Sequence, residues 1–91
     1  MEGIRPQEWA PHQIDRTRRI LESVDVVAFS IQMGMPNKGC SLDHLDGRFG
    51  YVRMEDALAY NWRVFDYKTD ELHGQYQNLD ELIAGGWKVS T

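Results

Sequence analysis

One cysteine, Cys40, is all that the 91 residues contain, so no disulfide can form within the chain. No stretch approaches the ~18 apolar residues of a membrane span. The first residues lack the charged-then-apolar pattern of a secretory signal, and no Asn-x-Ser/Thr acceptor occurs. A cytoplasmic protein with no membrane partner is the expectation. Basic charge is also in short supply. Ten Lys and Arg face 14 Asp and Glu, for a net charge of −4. A nucleic-acid binder draws much of its affinity from neutralising phosphates, so that partner class is not expected. The excess is local: residues 55–91 hold seven acids against three bases.

The sets that build cofactor and metal sites are incomplete too. Gly34-x-x-x-x-Gly39 follows a strand-like stretch, as a phosphate loop does, but Cys40-Ser41 stands where Lys-Ser/Thr is needed. Cys40-x-x-x-His44 has a ligand-like spacing. Zinc takes three or four ligands, however, and His12 and His73 lie far off in sequence. No metal and no cofactor is expected.

What the chain does have is a local echo. Met54-Glu55-Asp56-Ala57-Leu58-Ala59-Tyr60-Asn61-Trp62-Arg63-Val64 returns as Leu79-Asp80-Glu81-Leu82-Ile83-Ala84-Gly85-Gly86-Trp87-Lys88-Val89, at an offset of 25. Each copy reads as a strand end, a two-turn helix, then a Trp opening a new strand. The pattern predicts two strand–helix–strand units related by an approximate twofold axis.

The rest of the chain reads as one domain over 1–91. Residues 1–10 form an extended lead-in anchored by Trp9. A helix runs from Pro11 to Ser23, with Pro11 in the first turn. Ile14, Thr17, Ile20, Leu21 and Val24 share its apolar arc. Val24 to Met33 reads as a strand, alternating Val27, Phe29, Ile31 and Met33 on one face. Gly34 to Gly47 reads as a long loop, with Ser41 capping a single helical turn over Leu42 to Leu45. Strands are expected at Arg48–Arg53, Trp62–Lys68, Leu72–Gln77 and Trp87–Ser90, with short helices near 54–60 and 79–84. Asn78 and Glu81 have capping-box spacing, and Gly85-Gly86 supplies a left-handed end. Each repeat joins its strands by about eight residues, too few for a parallel crossover. The fold class is therefore α+β: a mainly antiparallel sheet of about five strands, one longer N-terminal helix and two short ones.

Three functions compete. Tyr51, Trp62, Phe65, Tyr67 and Tyr76 crowd the strands, and a sheet face of such residues suits an interface. The first reading is a non-enzymatic module that self-associates, as a dimer in the first instance, and binds a protein partner. The second is a small-molecule binder with a cleft between the sheet and the 34–47 loop. The third is a small enzyme. Cys40 as nucleophile and His44 as base meet if they share a helical turn, with Asp43 or Asp46 orienting the imidazole.

The tail from Leu79 to Val89 resembles the endings of some short bacterial proteins. The whole chain is similar in character to the small, acidic products of mobile gene cassettes of the integron type. That resemblance implies a bacterial, cytosolic and often oligomeric protein, and carries over no functional residue.

Overall fold

A computed structural model describes residues 8–24 and 38–90. Along them run α1 (Pro11–Ser23), β1 (Cys40–His44), β2 (Phe49–Val52), α2 (Met54–Leu58), β3 (Trp62–Asp66), β4 (Leu72–Tyr76), α3 (Leu79–Ala84) and β5 (Trp87–Val89). All five strands pair antiparallel in the order β4-β3-β2-β1-β5. This is the α+β class expected from the sequence, with the longer helix first. Among the described residues no helix is long and apolar enough to cross a membrane.

The registers assign the two faces. Leu42 pairs with Gly50 and with Val89, His44 with Trp87, and Gly50 with Asp66. Side chains directly opposite one another share a face. One face therefore carries Cys40, Leu42, Val52, Trp62, Val64, Trp87 and Val89. These join Ile20 and Leu21 of α1, Ala57 of α2, and Leu79 and Leu82 of α3 in a single core. All three helices lie on this side. The other face carries Phe49, Tyr51, Arg63, Phe65 and Leu72.

The sheet is curled about Trp87. Laid flat, four strand spacings would hold β4 and β5 about 19 Å apart. Instead the buried Trp87 reaches from β5 across the core face, and its Nε1 donates to Tyr76 Oη of β4 at 3.1 Å. A methyl group on Gly50 would stand 3.3 Å from the indole and 2.8 Å from the Phe65 carbonyl oxygen, so β2 passes beneath the ring without a side chain. α3 spans the gap between the two outer strands and buries Leu82 completely.

Local signals explain most elements. Pro11 opens α1, and the Gln13 side chain accepts from the Ala10 amide at 2.9 Å. Asn78 Oδ1 accepts from the Glu81 amide at 2.9 Å, while the Glu81 carboxylate reaches back one residue further, to Gln77, at 3.1 Å. Asp66 builds the β3–β4 turn by accepting from the amides of Lys68 and Thr69 at 2.9 and 2.8 Å. Trp9 donates to the Gly86 carbonyl at 2.9 Å, while residues 1–7 of the expected lead-in lie outside the described residues.

Other expectations need correction. The strand proposed over Val24 to Met33 lies outside the described residues, apart from Val24, which ends α1 in the left-handed region. The helical turn over Leu42 to Leu45 does not form. Cys40–His44 is strand β1, in the interior of the sheet. Cys40 and Leu42 point inward and alternate with Ser41 and Asp43, so Ser41 is a strand residue and not a cap. Gly47, at φ 97°, serves the tight β1–β2 hairpin, where its amide donates to the His44 carbonyl at 2.9 Å. The repeat recurs as a local order only. Its first copy joins the neighbouring strands β2 and β3, but its second joins the opposite edges β4 and β5, so no twofold axis relates them. The register slips as well. The left-handed residue after the helix is Tyr60 in the first copy and Gly86 in the second, which are 26 residues apart. Gly85, expected to share the left-handed turn, is right-handed at φ −74°.

Among the described strands β5 lies at one edge of the sheet, and its outward backbone is shielded by α1. Thr17, fully buried, accepts from the Val89 amide at 3.0 Å through Oγ1 and donates to the Gln13 carbonyl at 2.8 Å. Thr17→Val keeps the shape and removes both bonds. The expected cost is about 1–3 kcal/mol, since a buried amide loses its partner. Urea unfolding of the two proteins measures it, and a loss below about 0.5 kcal/mol would contradict this account of the edge.

Candidate functional site

The outer sheet face gathers four aromatic rings. Phe49 lies 4.8 Å from Tyr67, while Tyr51 lies 5.7 Å from both Phe65 and Tyr67, edge-on to the latter. Alternation places Tyr51 on β2 opposite Phe65 on β3, and Tyr67 continues the same face beyond β3. Three cations frame the rings. The Arg53 and Arg63 guanidiniums stand 4.9 and 5.3 Å from the Phe65 centroid, and Lys38 Nζ stands 5.4 Å from that of Tyr67.

Each cation is positioned by a carboxylate. Asp56, in the first turn of α2, receives Arg53 Nε at 3.1 Å and Arg63 Nη2 at 2.8 Å. Burial alone would raise the Asp56 pKa, but the hydrogen bonds from Arg63 and Arg53 outweigh it and hold the carboxyl below its ordinary range. Asp70, in the β3–β4 turn, receives Lys38 Nζ at 3.0 Å and the Tyr51 hydroxyl at 2.7 Å. Those two bonds, the Tyr51 hydroxyl first, lower the Asp70 pKa. Lys38 also donates to the Tyr67 carbonyl at 2.7 Å. Two buried side-chain polar atoms stay unmatched among the described residues, the Tyr67 hydroxyl and Arg63 Nε, and Tyr67 is only 9% exposed. At the margin Phe49 is 38% and Leu72 54% exposed, a large amount for apolar side chains.

Of the five aromatics expected to form a binding face, Tyr51, Phe65 and Tyr67 come together here. Trp62 and Tyr76 do not. They pair with each other across β3 and β4 on the opposite face, where Trp62 belongs to the core and Tyr76 packs against it. Phe49 alternates with Tyr51 and was legible as its neighbour. Leu72 was not, because its place opposite Phe65 depends on a bulge in β4 that skips His73.

The geometry assumed for the Cys40–His44 pair is absent. Four residues along a strand separate them by about 13 Å. Cys40 is 2% exposed and faces the core. His44 is engaged elsewhere, with Nε2 2.6 Å from the Gly85 carbonyl oxygen. Among the described residues no group of three or more His, Cys, Asp or Glu side chains is placed to hold a metal. The cleft expected between the sheet and the 34–47 loop is likewise not formed by the described part of that loop, because residues 40–44 are the sheet. Two clefts do occur on the helical side. One of about 380 Å³ lies between the end of α1 and α2, with Val24, Met54 and Tyr60 in its wall. The other, of about 290 Å³, lies beside Trp9, Leu45 and Ile83.

No protein-family model matches the chain, and no curated protein and no solved structure is similar to it. Its function therefore rests on geometry.

The Tyr51 hydroxyl is the group most altered by this setting. Burial and the hydrogen bond to Asp70 push its pKa up to about 12, from an ordinary value of 10.0. The folded state holds this proton more tightly than the unfolded one. The resulting stability is present below pH ~10 and is lost as pH rises toward ~12. Tyrosinate absorbance should show a late step near pH 12 that Tyr51→Phe removes. A wild-type titration that is complete by pH ~11 would refute the Tyr51–Asp70 bond.

Proposed function

We propose that the protein is a non-enzymatic interaction module that pairs with a second copy of itself through the outer sheet face. The observation that carries this reading is the position of Phe49 and Leu72. These two exposed apolar side chains border an aromatic cluster on the face that none of the described helices covers. Aromatic residues with arginine at their edges are the usual anchors of protein interfaces. Cations and acids are interspersed on the face, so a second copy rotated by a half-turn meets opposite charge as readily as like charge. Lys38, Arg53 and Arg63 are each already paired with a carboxylate, which leaves little charge for a phosphate backbone. The catalytic alternative draws no support from Cys40, which is buried and well away from His44.

Sedimentation velocity across 1–100 µM, as orders of magnitude, tests the proposal against affinities typical of stable interfaces. The expected outcome is a dimer for the wild type and a monomer for the Phe49→Asp/Leu72→Asp double variant, both with the same near-UV circular dichroism. A wild type that stays monomeric throughout, or a double variant that stays fully dimeric, sinks this reading.

A further inference from the structure

At the end of the sheet nearest the β1–β2 turn, on the core face, Arg48, His44 and His73 meet over the indole of Trp87. Asp46 Oδ2 receives Arg48 Nε at 2.8 Å. The guanidinium lies 5.3 Å from the Trp87 ring. His44 packs edge-on against the same indole at 4.6 Å, and His73 lies at 5.6 Å. Arg48 Nη1 stands 3.4 Å from His73 Nδ1, and Arg48 Nη2 stands 3.2 Å from His44 Nε2. These contacts link β1, the β1–β2 turn, β4 and β5 in one network.

The two imidazoles differ in what a proton does to them. His44 Nε2 sits 2.6 Å from the Gly85 carbonyl oxygen, a contact that requires the hydrogen on Nε2. Its Nδ1 faces both the Asp46 amide, at 3.0 Å, and an Asp46 carboxylate oxygen, at 2.9 Å. Neutral His44 accepts from the amide and protonated His44 donates to the carboxylate, so the ring is served in both states. His73 has no such choice. Its Nε2 lies 3.0 Å from Asp66 Oδ1 and donates to it. Asp66 is fixed as an acceptor by the Thr69 and Lys68 amides, which keep its pKa low, at about 2. That leaves Nδ1 of His73 to accept from Arg48, which His44 Nε2, already donating to the Gly85 carbonyl, cannot do at its 3.2 Å contact. The charged groups facing His73 are Asp66 from β3 and Arg48 from the hairpin turn, with Asp46 and His44 behind Arg48.

We propose that His73 is a proton-operated latch for Arg48: the neutral imidazole holds the guanidinium over Trp87, and a proton on Nδ1 releases it. The protonated nitrogen turns a donor toward a donor and sets two positive charges about 3–4 Å apart. His73 itself stays docked, because its bond to Asp66 becomes charge-assisted. Arg48 keeps its tie to Asp46 and swings outward with it, uncovering the indole face between β4 and β5. The device does not depend on the outer sheet face.

Nitrogen-15 NMR of the full chain between pH 7.5 and 5 tests it. At pH 7.5 the His73 ring should show an unprotonated Nδ1, and contacts between the Arg48 guanidinium and the Trp87 ring should be seen. As His73 titrates, those contacts should disappear and the Arg48 side-chain resonances should shift along the same one-proton curve. Asp46 titrates below this window, because its bonds to Arg48 lower its pKa despite the opposing effect of burial, so it cannot produce the shift. His73→Gln should keep the Arg48–Trp87 contacts at pH 5. An Nδ1–H tautomer at pH 7.5 overturns the proposal in the wild type alone. So does an Arg48 signal that ignores the His73 titration, or one that moves equally in His73→Gln.

Discussion

Trp87 and the curl of the sheet are one constraint. A five-stranded sheet this narrow has to bury its apolar face against something, and the described helices supply Ile20, Leu21, Ala57, Leu79 and Leu82 to it. The indole, fully buried, fills the concavity and bonds to Tyr76 on the far strand. Gly50 gives it room, and α3 bridges the two edges that the curl brings near. Because all described helices are used on this side, the convex face is left to whatever its own residues can organise.

What organises that convex face is polar. Asp56 draws Arg53 and Arg63 onto Phe65, and Asp70 draws Lys38 and Tyr51 together. Each carboxylate sits where the backbone wants an acid anyway: Asp56 in the first turn of a helix, Asp70 in a tight turn at positive φ. Acids at a helix start and in a tight turn thus also fix the rings of the candidate interface. The same economy appears at β5, where the Thr17 hydroxyl both returns to its own helix and shields an edge amide.

Elements with a strong local signal were legible in the sequence. α1 carries its Pro, its apolar arc and its end; α3 carries Asn78 and Glu81; the β3–β4 hairpin carries Asp66 and Thr69. β1 was hidden because Ser41, Asp43 and His44 resemble turn chemistry, and only Leu42 and Cys40 reveal the inward face. The repeat misled for a related reason. A short helix ending before a Trp-led strand is a local idiom, and the idiom does not say which strands it joins.

The sequence by itself determined the class of the fold, the position of most elements, and the alternation that sets Tyr51, Phe65 and Tyr67 apart from their neighbours, because these depend on interactions a few residues apart. Tertiary structure alone decided the rest. Strand order put β4 and β5 at opposite edges and then curled them together on Trp87. Register and a single bulge put Trp62 in the core and Tyr76 against it while leaving Phe49 and Leu72 outside. The meeting of His44, Arg48 and His73 over one indole likewise spans four separate segments. Pairing between distant segments is settled by which whole arrangement buries the most apolar surface with its polar groups satisfied, and no local window contains that comparison.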